Sequence, residues 1–400
     1  MSSTAVVRSL TRDRPTWLIY FQLCIFATYL YGLSAALPLL RLDQGVSQAV
    51  AGLHGTAMAA GGVTSGLAMP RVMARLGRRL TTWIGTAAMT FGVTLVALTP
   101  ALPVTLLGYG LASAGGSIAL YAGMSVLSDH HGVAGPAAIN EANAVGVTVG
   151  IGVSYLISAL APTPLGWRAG ILVTPVAALL LLALMGRVWI PRDTSAGRAS
   201  AREVPTGPKV PYDWRFHTAC GVLFCLVAME FLFNMWAARL LADRTGMTAA
   251  AAATGLTAFT VGVAAGRFAA GRLTLRFDPT PLLTCALFVT LTGWAVFWLG
   301  DTPALCYAGL VLSGVGAAVQ FPLGLARVIA SSGGRAAEAS AAASVWASTA
   351  TGVGPFALGA LADGFGTHTA FLIVPLLIFC AVCGIAVSSW RAAEARPPAP

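Results

Sequence analysis

Charge is scarce in this sequence, and lysine occurs once, as Lys209. Only 10% of the 400 residues are charged, whereas 57% are hydrophobic and the mean hydropathy is +0.78. Soluble domains carry about a quarter charged residues, so an aqueous fold with a single core cannot bury this much apolar surface. The sequence therefore predicts an integral membrane protein.

Motifs of enzymes and ATP-driven pumps are also missing. No HExxH, GxSxG or GxxxxGK[ST] pattern occurs, which disfavours a membrane enzyme and an ATP-driven pump. The seven cysteines lie in apolar runs, and Cys380-x-x-Cys383 has no neighbouring histidine, so we interpret the pair as packing residues. Asp129-His130-His131 are three adjacent loop residues without a fourth ligand. We expect no enzymatic activity, no cofactor and no metal.

The net charge of +10 does not indicate a nucleic-acid partner. The basic residues lie in short loops between apolar runs and form no patch interleaved with aromatic side chains. We therefore expect membrane lipids, and no nucleic acid, to contact them.

Apolar runs of about 20 residues are long enough to cross a bilayer as helices. Twelve such runs predict twelve transmembrane helices: 16–40, 47–69, 81–99, 103–126, 137–160, 168–187, 216–241, 248–270, 281–299, 303–328, 338–360 and 368–389. They are numbered here as spans 1 to 12.

The distribution of basic residues predicts the orientation. If the N-terminus is cytoplasmic, twenty basic residues lie inside, Arg267 among them, and four lie outside (Arg41, Arg168, Arg239 and Arg244). This bias satisfies the positive-inside rule and predicts a multi-pass protein of the plasma membrane with both termini cytoplasmic. We expect no cleavable leader, because the polar Met1–Pro15 precedes a run longer than a signal's apolar region.

An internal repeat divides the chain into two halves. Leu165–Pro175 aligns with Phe365–Pro375 at an offset of 200, and Pro70–Gly77 aligns with Gly271–Asp278 at an offset of 201. The pattern predicts two pseudo-symmetric six-helix bundles in a self-contained monomer, which also disfavours a channel. The predicted parts are a cytoplasmic tail (1–15), a bundle (16–187), a proline-containing cytoplasmic linker (188–215), a second bundle (216–389) and a second tail (390–400).

Several motifs resemble the major facilitator superfamily (MFS) over nearly the whole chain. Arg75-x-Gly77-Arg78-Arg79 is similar to the end of the family's loop signature G-x-x-x-D-R-x-G-R-R, and Gly166-Trp167-Arg168 is a second typical feature. Glu230–Trp236 and the later VQFPLGLARVIA resemble a poorly characterised bacterial branch. The resemblance implies the MFS fold and secondary transport by alternating access.

Some positions depart from the family pattern. Pro70 replaces the first glycine of the loop signature, and Ala74 replaces its aspartate, which normally helps to latch the halves. Span 4 lacks the usual arginine, and the nearest match to the antiporter G-x-x-x-G-P element lies in span 11. An antiporter label is therefore not implied.

Glu230 is the most informative single residue. It interrupts the apolar stretch Gly221–Leu241, where an ionised carboxylate costs a few kcal/mol unless it faces a cavity or a partner. A low-dielectric site favours the neutral acid, which suits reversible protonation. Asn234 lies on the same helical face. Glu230 is interpreted as a proton-coupling residue or an anchor for a cationic or hydroxyl-bearing solute; the alternative is a structural hydrogen bond.

Other polar and aromatic residues are candidates for the solute cavity or the gates. His54 is a candidate proton relay or a hydrogen-bonded packing residue. Glu141 is a candidate gate residue or a hydrated helix end, and Glu338 is expected to pair with Arg335. The candidates for cavity lining are Asn140, Asn143, Gln22, Tyr29, Tyr31, Tyr121, Gln320 and Trp346, and the loop motif comprises Arg71, Arg75, Gly77, Arg78 and Arg79.

These features predict a secondary transporter of a small organic solute, with protons as the coupling ion. Export of an amphipathic or cationic compound is preferred marginally, because the candidate site holds one buried anion among apolar groups. The alternative is proton-coupled uptake of a polar nutrient such as a sugar or an organic acid.

Overall fold

The computed structural model describes residues 10–46, 48–185, 212–247, 249–252 and 254–394. Most of the predicted linker (188–215) and of the predicted tails (1–15 and 390–400) lies outside the described residues. Within the described part the chain is helical, without strands, and each of the twelve predicted spans coincides with a helical segment. Nine helices of this part are long and apolar enough to cross a membrane, and two of these each cover two predicted spans.

The helices begin and end close to the predicted bounds, and several spans consist of two consecutive helices. Span 1 is Arg14–Gln44, spans 2 and 3 are the two parts of Gln48–Leu98, span 4 is Leu102–His131, span 5 is Gly135–Leu160, span 6 is Gly166–Ile171 with Val173–Met185, span 7 is Trp214–Thr245, span 8 is Ala249–Ala252 with Thr254–Arg276, span 9 is Pro279–Leu299, span 10 is Pro303–Ala317 with Gln320–Ala330, span 11 is Ala336–Phe365, and span 12 is Thr367–Ala370 with Ile373–Glu394.

The turn between spans 2 and 3 is shorter than predicted. Helical structure continues through the loop motif and is interrupted at Gly77, whose φ of 73° and ψ of 165° are non-helical. Glycine reaches positive φ without the steric cost that a Cβ imposes. The glycine of the loop motif therefore makes the reversal between the two spans.

Spans 1 and 7 begin on the same side of the protein, which we call the terminal face. Successive spans alternate in direction, so span 5 also begins at the terminal face, and spans 2 and 8 end there. Arg78 and Asp129 pair on this face at 2.6 Å, whereas Asp43 and Arg168 pair on the opposite face at 2.6 Å.

The internal repeat is visible as contacts between equivalent residues. Tyr121 of span 4 and Phe321 of span 10, which are 200 positions apart, meet edge to face with ring centroids 6.3 Å apart. A contact between residues at the repeat offset indicates that the pseudo-twofold axis passes between them.

The two most extensive contacts between the halves are helix crossings, and both lie between mid-helix and the terminal face. In the first, span 2 packs on span 11, where Ser344 Oγ lies 3.4 Å from the carbonyl oxygen of Gly62. In the second, span 8 packs on span 5. Farther toward the opposite face, a groove of about 410 Å³ runs between span 2 (Thr56, Val63) and span 11 (Gly352, Val353).

One sequence interpretation of the cysteines is wrong. Cys380 and Cys383 were interpreted as packing residues, but both are exposed on span 12, as is Cys285 on span 9. Apolar positions on a membrane helix need not face the protein, because lipid is an equally apolar neighbour.

Candidate functional site

Glu230 lies near the middle of the 32-residue helix of span 7. Its side chain is 19% exposed, and its Oε1 is 3.7 Å from Nη2 of Arg267 in span 8. Arg267 lies in the middle third of its own 23-residue helix, and its side chain is 6% exposed. The carboxylate therefore has a buried cationic partner in a second helix of the same half.

Arg267 was missed by the sequence analysis, which counted it among the cytoplasmic basic residues. The structure corrects that assignment, because this side chain is buried inside the helical assembly. Moving it out of the cytoplasmic set leaves nineteen basic residues against four, so the bias keeps its sign. The available signal was an arginine inside a predicted span, opposite a carboxylate in the preceding span.

Arg267 also joins the two halves. Its Nε donates to the carbonyl of Ala318 in span 10 at 3.2 Å, and its Nη1 donates to the carbonyl of Asn143 in span 5 at 3.5 Å. The hydroxyl of Tyr31 in span 1 interacts electrostatically with Arg267 and Glu230. The ion pair therefore contacts groups of both halves.

The ion pair is loose. The separation of 3.7 Å exceeds the 2.7–3.2 Å of a good N–H···O hydrogen bond. The attraction between two buried charges offsets the free-energy cost of removing them from water only when their contacts are short and well formed. A pair with this geometry can be opened at a smaller cost than a tight fork between arginine and carboxylate.

The asparagine candidates have different environments. Asn234 donates from Nδ2 to the carbonyl of Glu230 at 2.8 Å, so it shares the face of Glu230 but bonds its own helix. The side-chain Nδ2 of Asn143 donates to the carbonyl of Ile139 at 2.8 Å, and the backbone carbonyl of Asn143 accepts from Arg267. Asn140 is fully buried, and neither polar atom of its side chain has a hydrogen-bond partner within the described part of the chain.

Five other candidates are packed between helices. His54 is fully buried, with Nδ1 3.0 Å from the carbonyl oxygen of Ala51 and Nε2 2.9 Å from Oγ1 of Thr105. The remaining four are also buried: Gln22, which donates to Ala119; Gln320, which donates to Thr290; Tyr29; and Tyr121. These five do not line open space here.

Two aromatic candidates remain accessible. Tyr31 is half-buried and its ring lies over Gly150 of span 5, where a Cβ would approach the ring to 2.4 Å. Trp346 is 38% exposed and meets Phe224 edge to face, with centroids 6.2 Å apart. Tyr31 is the one of these two that the structure brings to Glu230 and Arg267.

The gate and loop candidates lie on the terminal face. Arg71, Arg75, Arg78 and Arg79 are exposed. Glu141 accepts a forked pair of hydrogen bonds from Arg12, at 2.7 and 3.0 Å, and so ties the N-terminal segment to span 5 within one half. Glu338 lies 3.9 Å from Arg335, which agrees with the predicted pair.

The residues of Asp129-His130-His131 have separate partners. Arg78 contacts Asp129 at 2.6 Å, Asp13 contacts His130 at 2.7 Å, and Thr16 contacts His131 at 2.9 Å. Across the described ranges, no group of three or more potential ligands could hold a metal ion.

Family comparison covers both halves. Residues 17–217 and 218–400 each match the family model of the Major Facilitator Superfamily. The chain belongs to this superfamily. Its members are membrane transporters rather than enzymes, so the expected absence of an enzymatic activity follows from the family.

One curated relative is similar over part of its length. The uncharacterized transporter y4wD of Sinorhizobium fredii (strain NBRC 101917 / NGR234) is 33% identical over 141 residues. The alignment covers 35% of this chain and 37% of that relative, so it spans well under two thirds of either protein.

Solved MFS transporters share the fold. FucP in the outward conformation matches with a TM-score of 0.77 at 18% identity, covering 94% of this chain and 98% of that one. The proton:xylose symporter XylE matches at 0.76 and 12% identity, covering 94% of each chain. The human organic anion transporter MFSD10 matches at 0.75 and 14% identity, covering 94% and 100%. At these identities the likeness concerns the fold alone.

Proposed function

We propose that this MFS transporter is proton-coupled and that Glu230 is its proton-binding residue. The supporting observation is the loose pair of Glu230 and Arg267 at 3.7 Å, in the middle of the helices and between the two halves. Buried ionisable residues in membrane spans commonly mark proton or solute pathways. Two of the structural neighbours, FucP and XylE, are described as proton symporters.

Protonation of Glu230 would act on the contact between the halves. A neutral Glu230 no longer balances the charge of Arg267, so the arginine is free to leave its long contact with the carbonyl of Asn143. That contact belongs to the span 5 and span 8 crossing, near the terminal face. Its loss favours opening of the terminal face and closure of the opposite face.

Uptake accounts for this geometry better than export does. The preference for export rested on an isolated anion that would attract a cationic solute. Arg267 neutralises that anion, so a cation gains little there, whereas a solute that binds beside protonated Glu230 moves with the proton. The crossings near the terminal face and the groove toward the opposite face support an outward-facing state if both termini are cytoplasmic, as predicted. On this basis we propose solute uptake by symport.

A distance measurement tests the coupling without a known solute. Spin labels at Thr163→Cys and Asp363→Cys, with exposed Cys285, Cys380 and Cys383 replaced by serine, report the separation of the halves at the opposite face. In nanodiscs, lowering the pH from 8 to 6 should shorten this distance in the parent protein. Glu230→Gln should have the short distance at every pH.

The matched control is Asp243→Asn, which makes the same chemical change in span 7 at an exposed ion pair with Arg239. This variant should respond to pH as the parent does. A Glu230→Gln protein that keeps the parent pH profile would contradict the proposed role of Glu230.

A further inference from the structure

The guanidinium of Arg267 has more donor capacity than the structure uses. Arginine carries five N–H donors in a planar fork. Two of its contacts are hydrogen bonds to carbonyl oxygens, at 3.2 and 3.5 Å, and the carboxylate of Glu230 lies beyond hydrogen-bond range at 3.7 Å. A buried cation with such long contacts can accept a better-fitting acceptor.

We propose that the solute carries a carboxylate or a similar oxyanion that binds the guanidinium of Arg267 when Glu230 is protonated. This inference rests on the proposed function, since it uses the same proton on Glu230. The planar fork of arginine matches an oxyanion with two parallel hydrogen bonds, a geometry that neutral sugars cannot reproduce. The hydroxyl of the half-buried Tyr31 is within electrostatic range of the pair.

Charge balance supports an anion over a neutral solute. In the empty site, ionised Glu230 and Arg267 cancel. With Glu230 protonated, the charge of Arg267 is uncompensated, and a bound anion cancels it again. Because a net charge inside the membrane is costly, the two neutral forms change conformation more readily than the protonated protein without a solute. Entry of one proton with one monovalent anion is therefore electroneutral.

The groups around the pair determine how it responds to pH. Among the described residues, span 1 contributes Tyr31, span 5 contributes the carbonyl of Asn143, and span 10 contributes the carbonyl of Ala318. Asn234 of span 7 bonds the backbone of Glu230. Glu230 is thus the acid in this set whose protonation would free Arg267, so anion affinity should rise as the pH falls.

Binding to purified protein tests the solute class. The probes are benzoate, benzenesulfonate and succinate, compared with their neutral counterparts benzamide, benzenesulfonamide and succinamide, at pH 6 to 8, where the three oxyanions stay ionised. We expect at least one anion to raise the melting temperature above its neutral counterpart, and its affinity to increase by up to about tenfold per pH unit, the limit for one linked proton. If each anion raised the melting temperature no more than its neutral counterpart, the inference would be overturned.

Variants then locate the anion. Glu230→Gln should bind the anion tightly at every pH, Arg267→Gln should lose binding, and Arg267→Lys should bind more weakly because it lacks the fork. Arg244→Gln, in span 7 of the same half, is the control, because Arg244 bonds the carbonyls of Gly300 and Leu299 near the opposite face. Anion binding that survives in folded Arg267→Gln would contradict the site.

Transport of benzenesulfonate, whose charge is fixed, tests electroneutrality. In proteoliposomes, an acidic exterior should drive its uptake, and a potassium diffusion potential should not. Uptake driven as strongly by the potential would overturn the one-to-one balance. The two proposals fail in different ways. If neutral ligands are preferred and the pH response still depends on Glu230, the anion proposal alone is rejected. If an anion binds at Arg267 but Glu230→Gln keeps the parent pH profile, the proton role of Glu230 is rejected.

Discussion

The two crossings between the halves are equivalent by pseudosymmetry but differ in chemistry. Gly66 of span 2 and Arg267 of span 8 are 201 positions apart, the offset of the repeat in this region. Gly66 lies so close to span 11 that a Cβ would be 2.7 Å from Val345, whereas Arg267 extends a charged side chain to the backbone of span 5. One crossing packs small uncharged residues, and we call it the dry crossing; the other contains a charged side chain, and we call it the charged crossing.

The difference suggests how a symmetric fold obtains an asymmetric response. The dry crossing depends on close packing, because small residues let the helix backbones approach each other closely, and its contact between Ser344 and the carbonyl of Gly62 is uncharged. In the proposed mechanism, opening of the terminal face breaks both crossings, and protonation of Glu230 acts through the charged crossing.

The largest effect is expected from filling the dry crossing. Gly66→Leu places a side chain where Val345 and the carbonyl of Ala341 already lie, so the terminal face cannot close. We expect more than a tenfold loss of transport and a short opposite-face distance at every pH. Gly55→Leu, in the same span at a position with no neighbour within 4 Å, is the control and should behave like the parent. Normal pH-dependent closure in Gly66→Leu would mean that this crossing does not form the gate.

The charged crossing is tested by a double-mutant cycle. Arg267→Gln leaves the buried Glu230 without its partner, and Glu230→Gln leaves the arginine without its anion. The loss of stability in the double variant should therefore be smaller than the sum of the losses in the two single variants. We expect a coupling free energy of about 1–3 kcal/mol from reversible unfolding in detergent. A coupling energy of zero would show that the pair does not interact in the folded protein.

A smaller effect is expected at the tie between Arg12 and Glu141. Glu141→Gln removes the forked bond that holds the N-terminal segment to span 5, two residues from Asn143. Because the pair is partly exposed, we expect the free energy of unfolding to fall by less than about 1 kcal/mol and transport to change by less than threefold. Glu338→Gln, which removes the 3.9 Å pair with Arg335 in the other half, is the comparison. A larger loss of stability or transport in Glu141→Gln would show that the pair of Arg12 and Glu141 contributes to the charged crossing.

The smallest effect is expected from Asp13, which caps span 1 outside the membrane. Partial burial opposes ionisation, but hydrogen bonds from Thr16 and His130 prevail and hold the pKa of Asp13 below its usual 3.8. The stabilisation is therefore present above pH 3.8 and lost as the pH falls through the folded-state pKa. Asp13→Ala should cost about 1 kcal/mol at pH 6 and progressively less below pH 4, measured by thermal unfolding. Asp13→Asn, which can still cap the helix, should recover most of the loss.

Sequence patterns predicted the large features because lipid imposes simple rules. A helix must stay apolar for about 20 residues to cross the bilayer, so the twelve spans could be counted directly. Glu230 could be found for the same reason, since a carboxylate in Gly221–Leu241 violates that rule. His54 could not be assigned, because the same pattern suits a proton relay and a hydrogen-bonded packing residue; the structure adds that its ring contacts Ala51 and Thr105.

The sequence alone determined the membrane class, the number of spans, the duplicated halves and the acidic residue in span 7, since each depends on local composition or on repeated spacing. Tertiary structure alone decided that Arg267 is the partner of Glu230 and that Asn143 contacts Arg267 through its backbone carbonyl rather than its side-chain amide. It also decided that Gln22 and Gln320 are packed away from open space. Those facts depend on how helices rotate against one another. In lipid that rotation follows close packing and polar contacts between distant spans, which hydropathy does not encode.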